Sequence, residues 1–168
     1  MNTTEAILTR RSVRHYEAGF KMPESDLTTI LRAGMYAPSA MNKQPWEFLV
    51  VTDSVLLTMI RDNHPHAAFL TDAGIGIFIC VDLSKEYNGM GITDVSMASQ
   101  NIMLQAHDLG YGTCYCGIYP DKCEEFNDLL KLPEHIQPIG LIALGKPVKE
   151  AKQPEERYNS ALVHFNQW

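Results

Sequence analysis

Arg10-Arg11-Ser12-Val13-Arg14 gathers three guanidinium groups and a hydroxyl into five residues of a chain whose formal net charge is −6. In an extended chain alternate side chains share a side, so Arg10, Ser12 and Arg14 face one way and Arg11 the other. Four steps of roughly 3.3 Å separate the first and last of these residues by about 13 Å, enough to hold a phosphate at one end and reach a ring system at the other. Guanidinium suits phosphate because its rigid fork of donors binds bidentately and stays charged at any working pH. From these residues alone the stretch reads either as an anion grip or as three solvated surface arginines.

The 168 residues are the length of one ordinary domain, and hydrophobic and charged fractions of 45% and 20% belong to a globular chain rather than a disordered or fibrous one. No apolar run approaches the roughly 20 residues of a membrane span, which implies no membrane partner. Met1 to Arg10 lacks the pattern of a secretion signal, so the cytoplasm is the expected location. The acidic balance argues against nucleic acid and for small-molecule ligands. Cys80, Cys114, Cys116 and Cys123 lie in or beside apolar segments and are expected as free thiols.

The pattern predicts helices over 3–10 with Thr3 or Thr4 as cap, from Pro23 to Met35 or Tyr36, over 54–62 and over 93–109, and one over 121–131 capped by Asp121. Strands are expected over 46–52, 74–82, 111–116 and 138–144, and the 63–71 stretch as irregular or a brief helical turn. The run Gly-Ile-Gly-Ile-Phe-Ile-Cys-Val-Asp at 74–82 is nearly unbroken, as in a strand covered on both faces. Val95, Ala98, Ile102 and Leu109 mark one side of the longest helix, with Met97 and Leu104 off it, which predicts a central, heavily buried helix stopped by Gly110. Pro38-Ser39-Ala40-Met41-Asn42-Lys43-Gln44-Pro45-Trp46 has the composition of a loop that presents hydrogen bonds from a fixed shape. Beyond Gly145 the chain ends in Tyr158, Leu162, Val163, Phe165 and Trp168, an aromatic tail that needs a groove on a second copy or on its own subunit.

Gly74-Ile75-Gly76 lacks the third glycine of a dinucleotide fingerprint, and no phosphate loop, hydrolase triad or HExxH is spelled. Cys114 and Cys116 would share a strand face, but no second pair or nearby histidine completes four ligands, so no metal is expected. Without a nucleophile, base or metal the chemistry belongs to a cofactor.

Arg10 to Arg14, followed by Pro38 to Trp46, resembles the nitroreductase family of FMN-dependent oxidoreductases. The stretch from Thr93 to Gly117, with Asp94, Gln100-Asn101 and Gly110-Tyr111-Gly112-Thr113, is similar to the family's central helix and following strand. Leu144 to Pro147 and Arg157 to Trp168 resemble its last strand and tail. The resemblance implies an α+β fold, a nitroreductase-like sandwich with a mainly antiparallel sheet flanked by helices, as one domain over 1–168. It implies an intertwined homodimer with FMN at the interface and the 146–168 tail on the partner. By the same resemblance Arg10, Ser12 and Arg14, with Arg11, hold the phosphate and pyrimidine edge. Pro38, Ser39, Asn42 and Gln44 reach the flavin from the other subunit. Cys116 and Gly117 offer main-chain groups near N5, and Gly145, Lys146 and Arg157 complete the phosphate site.

The implied reaction is a ping-pong hydride transfer from NADH or NADPH to small acceptors such as nitroaromatics, quinones or enones, with no obligatory protein acid or base. Arg14 is the expected electrostatic stabiliser: a cation about 4 Å from an anionic ring edge is worth up to roughly 4 kcal/mol at an effective dielectric near 20. Only Leu83 to Ile92 separates the second strand from the long helix, too few residues for the helical lid of longer relatives. Rival readings are a reductive dehalogenase or flavin-modifying enzyme on the same fold, or a non-catalytic flavin or nucleotide sensor or carrier.

Overall fold

The apolar runs around Phe78 and Ile142 pair as the two central strands of a sheet, in a computed structural model that describes residues 1–149, 152 and 155–168. Strands β1 (Trp46–Val51), β2 (Ile75–Asp82), β3 (Gly112–Gly117) and β4 (Ile136–Gly145) stand in the order β1-β2-β4-β3, and every neighbouring pair is antiparallel. Among the described residues six α-helices flank it: α1 (Thr3–Thr9), α2 (Glu24–Met35), α3 (Ser54–Asn63), α4 (Leu70–Ala73), α5 (Gly91–Asp108) and α6 (Cys123–Leu130). This is the α+β sandwich with a mainly antiparallel sheet that the family resemblance implies.

Strand alternation sorts the core into two layers. Ile75, Ile77, Ile79 and Val81 join Ile142 and Leu144 in packing against Ile30 of α2 and Val95, Ala98, Ile102 and Ala106 of α5. Phe78, Cys80, Cys114, Cys116, Leu141 and Ala143 point the other way, toward Leu57 and Ile60 of α3, Leu70 of α4 and Phe126 of α6. With helices on both faces, every residue of β2 is buried, which is why it reads as a continuous apolar run. Helices α2 and α5 meet at Gly34, where a β-carbon would stand 2.8 Å from Ile102 Cγ1 and 3.1 Å from Phe48 Cζ, so only glycine allows the approach. Pro138 sits inside the central strand β4 because the register slips beside it: Ile79 faces Gly140 and Cys80 faces Pro138, leaving Ile139 as a bulge.

Several local expectations are corrected. Asn2, not Thr3 or Thr4, caps α1, its side chain accepting from the Glu5 N–H at 2.9 Å. Asp121 caps nothing. Pro120–Lys122 closes its own 3-10 turn through the Lys122 N–H and the Tyr119 carbonyl, and α6 begins only at Cys123. Both readings of the 63–71 stretch find a part in it: irregular turns run to Phe69 and lead into the brief helix α4, ended by Gly74 at φ +82°. Helix α5 starts two residues before Thr93, and it is not heavily buried all round. Its core stripe runs through Val95, Ala98, Ile102 and Ala106, whereas Leu109 lies past its end and Ile92 and Met97 are 59% and 44% exposed. Gly110, at φ +82°, does stop it. Among the described residues no helix is long and apolar enough to cross a membrane, and the four cysteines are free thiols.

Candidate functional site

Beyond α1 the chain runs extended between two neighbours. Ser12 bridges to Thr113 of β3, with the Val13 N–H donating to the Thr113 carbonyl at 2.8 Å. Tyr16 bridges to Pro147, and the Glu17 N–H donates to the Lys146 carbonyl at 2.8 Å. This strip brings Arg10, Arg11 and Lys146 to the wall of one cleft of about 690 Å³, together with His107 and Tyr111. Among the described residues, none of Arg10, Arg11, Arg14, Lys146 and Arg157 appears in an ion pair. The Arg11 pKa is lowered by desolvation first and then by the charges of Arg157 and Arg10. His107, whose Nε2 lies 2.8 Å from Thr9 Oγ1, is lowered by desolvation first and then by Arg10 and Arg11. Glu5 is the one carboxylate residue among the described residues lining this cleft, against Arg10, Arg11, Lys146 and Lys149, and a wall with that excess of cations favours an anion.

The arginines divide their work. Arg11 turns back to donate to the Leu8 carbonyl at 2.8 Å and to the Arg10 carbonyl, closing the C-terminal end of α1. Arg10, Ser12 and Arg14 lie near Cys114, whose thiol is drawn down by a hydrogen bond from Cys116 first, and further by Arg14, Ser12 and Arg10 against the opposing effect of burial. Cys116 is pushed up by the same bond and by burial.

Edge strand β3 carries the site onward. The Ile118 N–H donates to the Ile139 carbonyl, so in this antiparallel pair Cys116 and Cys114 exchange hydrogen bonds with β4 while Tyr115 and Gly117 turn their main-chain groups to the open edge. Gly117 is exposed. Cys116 is buried with its Sγ 3.4 Å from the His66 carbonyl and its main-chain groups turned to β4, so of the expected pair Gly117 can offer a ligand main-chain groups and Cys116 cannot. Gly145 is buried, faces Gly112 and packs on Ala73; it supports Lys146 rather than meeting solvent. Arg157 is exposed on the tail, where the Glu156 carboxylate accepts from the Arg157 and Tyr158 N–H groups at 2.7 Å.

The 38–45 loop is built differently. Met41, Asn42 and Gln44 are non-glycine residues at φ +51°, +54° and +50°. Each left-handed residue costs on the order of 1 kcal/mol and persists only where its surroundings over-determine it. Here the Gln44 N–H donates to Ser39 Oγ at 2.9 Å, Gln44 Nε2 to Asn42 Oδ1 at 3.0 Å, and the Ala40 N–H to Asp94 Oδ1 of α5 at 3.0 Å. Pro38, Asn42 and Gln44 are exposed and Ser39 half-buried.

The loop meets α5 at Asp94 and the basic cleft meets it at His107, 13 residues on, or about 20 Å at 1.5 Å per residue. Within one chain the loop of Pro38, Ser39, Asn42 and Gln44 and the cleft of Arg10 and Arg11 thus meet α5 at separate ends. Exposed apolar side chains lie on the same two helices: Ile92 and Met97 of α5, and Met35 and Tyr36 at the end of α2.

Two residues near the site escaped the sequence reading. His107 reaches the cleft through a contact with Thr9, 98 residues away, which no local pattern announces. Tyr115 occupies the outward phase of β3, a signal that alternation between Cys114 and Cys116 does carry; its ring lies across Gly140, with the hydroxyl 3.4 Å from the Ile139 carbonyl. Among the described residues no group of three His, Cys, Asp or Glu could hold a metal.

The family model described as "Nitroreductase family" matches residues 7–67 and 58–146. A curated relative from Methanothermobacter thermautotrophicus, named "Putative NADH dehydrogenase/NAD(P)H nitroreductase", is 40% identical over 173 residues, covering 100% of this chain and 88% of its own. A crystal structure of a protein of the same name from Parabacteroides distasonis superposes with a TM-score of 0.93 at 36% identity, covering 100% of both chains. An FMN-dependent nitroreductase from Clostridium difficile gives 0.90 at 29% identity, covering 99% of this chain and 100% of the other.

Proposed function

The chain belongs to the nitroreductase family of oxidoreductases, and from that premise we propose that it is an FMN-dependent NAD(P)H oxidoreductase that works as a homodimer with the flavin at the subunit interface. The observation that carries this reading is the separation along α5. A loop shaped for ligand contact and a cleft rich in cations meet α5 at points about 20 Å apart along its axis, with apolar side chains exposed on α5 and at the end of α2. A second copy placed across those helices by a two-fold axis would set the loop of each chain beside the basic cleft of the other.

The residues present fit FMN. Arg10, Arg11, Lys146 and Arg157 supply charge for its phosphate, Ser12 a hydroxyl, and Arg14 a cation for the pyrimidine edge. The open edge of β3 at Gly117 supplies main-chain groups for the ring, and Pro38, Ser39, Asn42 and Gln44 of the second copy would reach it from the other side. Bound FMN supplies a reversible hydride acceptor at N5, so a nicotinamide donor and a nitroaromatic, quinone or enone acceptor can use one site in turn, in ping-pong order. Arg14 then serves to hold negative charge on the reduced ring. Leu83–Met90 forms turns without a helix, which leaves access to small acceptors open. In the tail, Tyr158, Leu162, Phe165 and Trp168 are exposed and would wrap on the partner, the whole chain acting as one domain. Free thiols suit a reducing compartment such as the cytoplasm.

The test is the visible spectrum of the purified protein, before and after NADH or NADPH without oxygen. Flavin bands at about 370 and 450 nm that bleach with either nicotinamide support the proposal. Retained flavin that neither reduces would make the protein a sensor or carrier, and a protein that stays colourless after incubation with FMN would sink the reading.

A further inference from the structure

Asp94 is 3% exposed, an unusual place for a carboxylate. It sits in the first turn of α5, an 18-residue helix, where the positive end of the dipole favours its charge. Its Oδ1 accepts from the Ala40 N–H at 3.0 Å, across 54 positions of sequence, while its Oδ2 is buried without a partner among the described residues. An apolar side chain would fill this position without leaving an unpaired buried oxygen, so packing alone does not account for an aspartate here.

The loop accounts for it. Ala40 opens the 3-10 turn Ala40–Asn42, and the next residue, Met41, is already left-handed. Other hydrogen bonds between Ser39 and Gln44 tie the loop only to itself: Ser39 Oγ with the Gln44 N–H, Gln44 with Asn42, the Asn42 N–H with the Ser39 carbonyl, and the Lys43 N–H with the Ala40 carbonyl. Between Pro38 and Gln44, the bond to Asp94 is the one recorded among the described residues that fastens the loop to the frame. At the far end the Pro45 carbonyl accepts from the Asp82 N–H at 2.7 Å. Without the first tie, three strained residues would be free to relax into ordinary backbone.

We infer that Asp94 is the positioning residue of the 38–44 loop, its carboxylate holding the Ala40 amide so that Ser39, Asn42 and Gln44 stay presented to a ligand of the second subunit. The inference rests on the FMN reading for the identity of that ligand, but the tether itself does not.

Two measurements keep them apart. In the FMN-free protein, amide exchange at Ala40 should be slowed in the wild type and sped about tenfold or more in Asp94→Ala, and should return near the wild-type rate in Asp94→Asn, whose side-chain carbonyl can still accept. An unprotected Ala40 amide in the wild type overturns the inference, even if Asp94→Ala proves unable to fold. FMN titration by flavin fluorescence should then show a dissociation constant raised about tenfold to a hundredfold in Asp94→Ala at an unchanged thermal midpoint, with most of the loss rescued in Asp94→Asn. Wild-type affinity in Asp94→Ala, or equal losses in both variants, overturns it too. If the wild type binds no FMN, the function proposed above fails, and Ala40 exchange in the three proteins still decides the tether.

Discussion

The basic edge and the 38–45 loop hold their polar groups by opposite means. Beyond Arg10 the backbone is extended, bridged to β3 at Ser12 and Val13 and to the 146–148 segment at His15 to Glu17, and what is in excess is charge. In the loop, charge is nearly absent and the strain is in the backbone, at Met41, Asn42 and Gln44. Charge acts at a distance and tolerates an imprecise frame, whereas hydrogen bonds from short side chains need their frame fixed to a few tenths of an ångström. In the proposed dimer the site would join a long-range attractor to a short-range template, which meet α5 at opposite ends in each chain.

The largest effect should come from preventing their meeting. Ile92→Glu with Met97→Glu places charge on the exposed face of α5 and should give a monomer by sedimentation, with FMN affinity lower by about a hundredfold or more. A monomer that binds FMN as the wild type does would show that one chain suffices. Removing the attractor is next: Arg10→Ala should raise the FMN dissociation constant about tenfold to a hundredfold and flatten its dependence on salt, measured by fluorescence titration at several ionic strengths. Arg14→Ala should weaken FMN less but lower the flavin reduction potential, read by dye-coupled redox titration, because the cation favours the anionic reduced ring. An unchanged potential would move Arg14 away from the ring.

The smallest effect concerns the frame that anchors the loop at Pro45. The Asp82 carboxyl is held down to about 2 by hydrogen bonds from the Ser84 hydroxyl first and from Lys85, against the cost of burial. Its folded pKa lies below the unfolded value of about 3.9, so the stability it contributes is fully present above pH 4 and is lost as pH falls from about 4 to about 2. Asp82→Asn should flatten that part of a curve of thermal midpoint against pH, shifting the midpoint at neutral pH by only a few degrees. An acid limb as steep as the wild type's would assign the transition to other carboxyls.

Much of the architecture was legible residue by residue. The unbroken run at β2, the stop at Gly110, the shared face of Cys114 and Cys116, and the proline-bounded loop before Trp46 all follow from neighbours a few positions away. The places where local reading failed have local causes that composition does not show. Asn2 outcompeted the threonines as a cap because its side chain reaches the Glu5 amide, and Pro120 drew Asp121 into a separate tight turn.

By itself the sequence determined which segments form strands and helices, and it concentrated cations over Arg10 to Arg14 and short polar groups after Pro38. Those choices rest on backbone sterics, side-chain alternation and capping, which act over one or two turns of chain. Only the tertiary structure decided that Arg11 closes α1, that Asp94 holds Ala40, that His107 faces Thr9, and that the cations and the loop stand at opposite ends of one helix. Such contacts span 54 or 98 residues of sequence, and they are set by how two helical layers pack on a sheet, a property of the whole core rather than of any stretch.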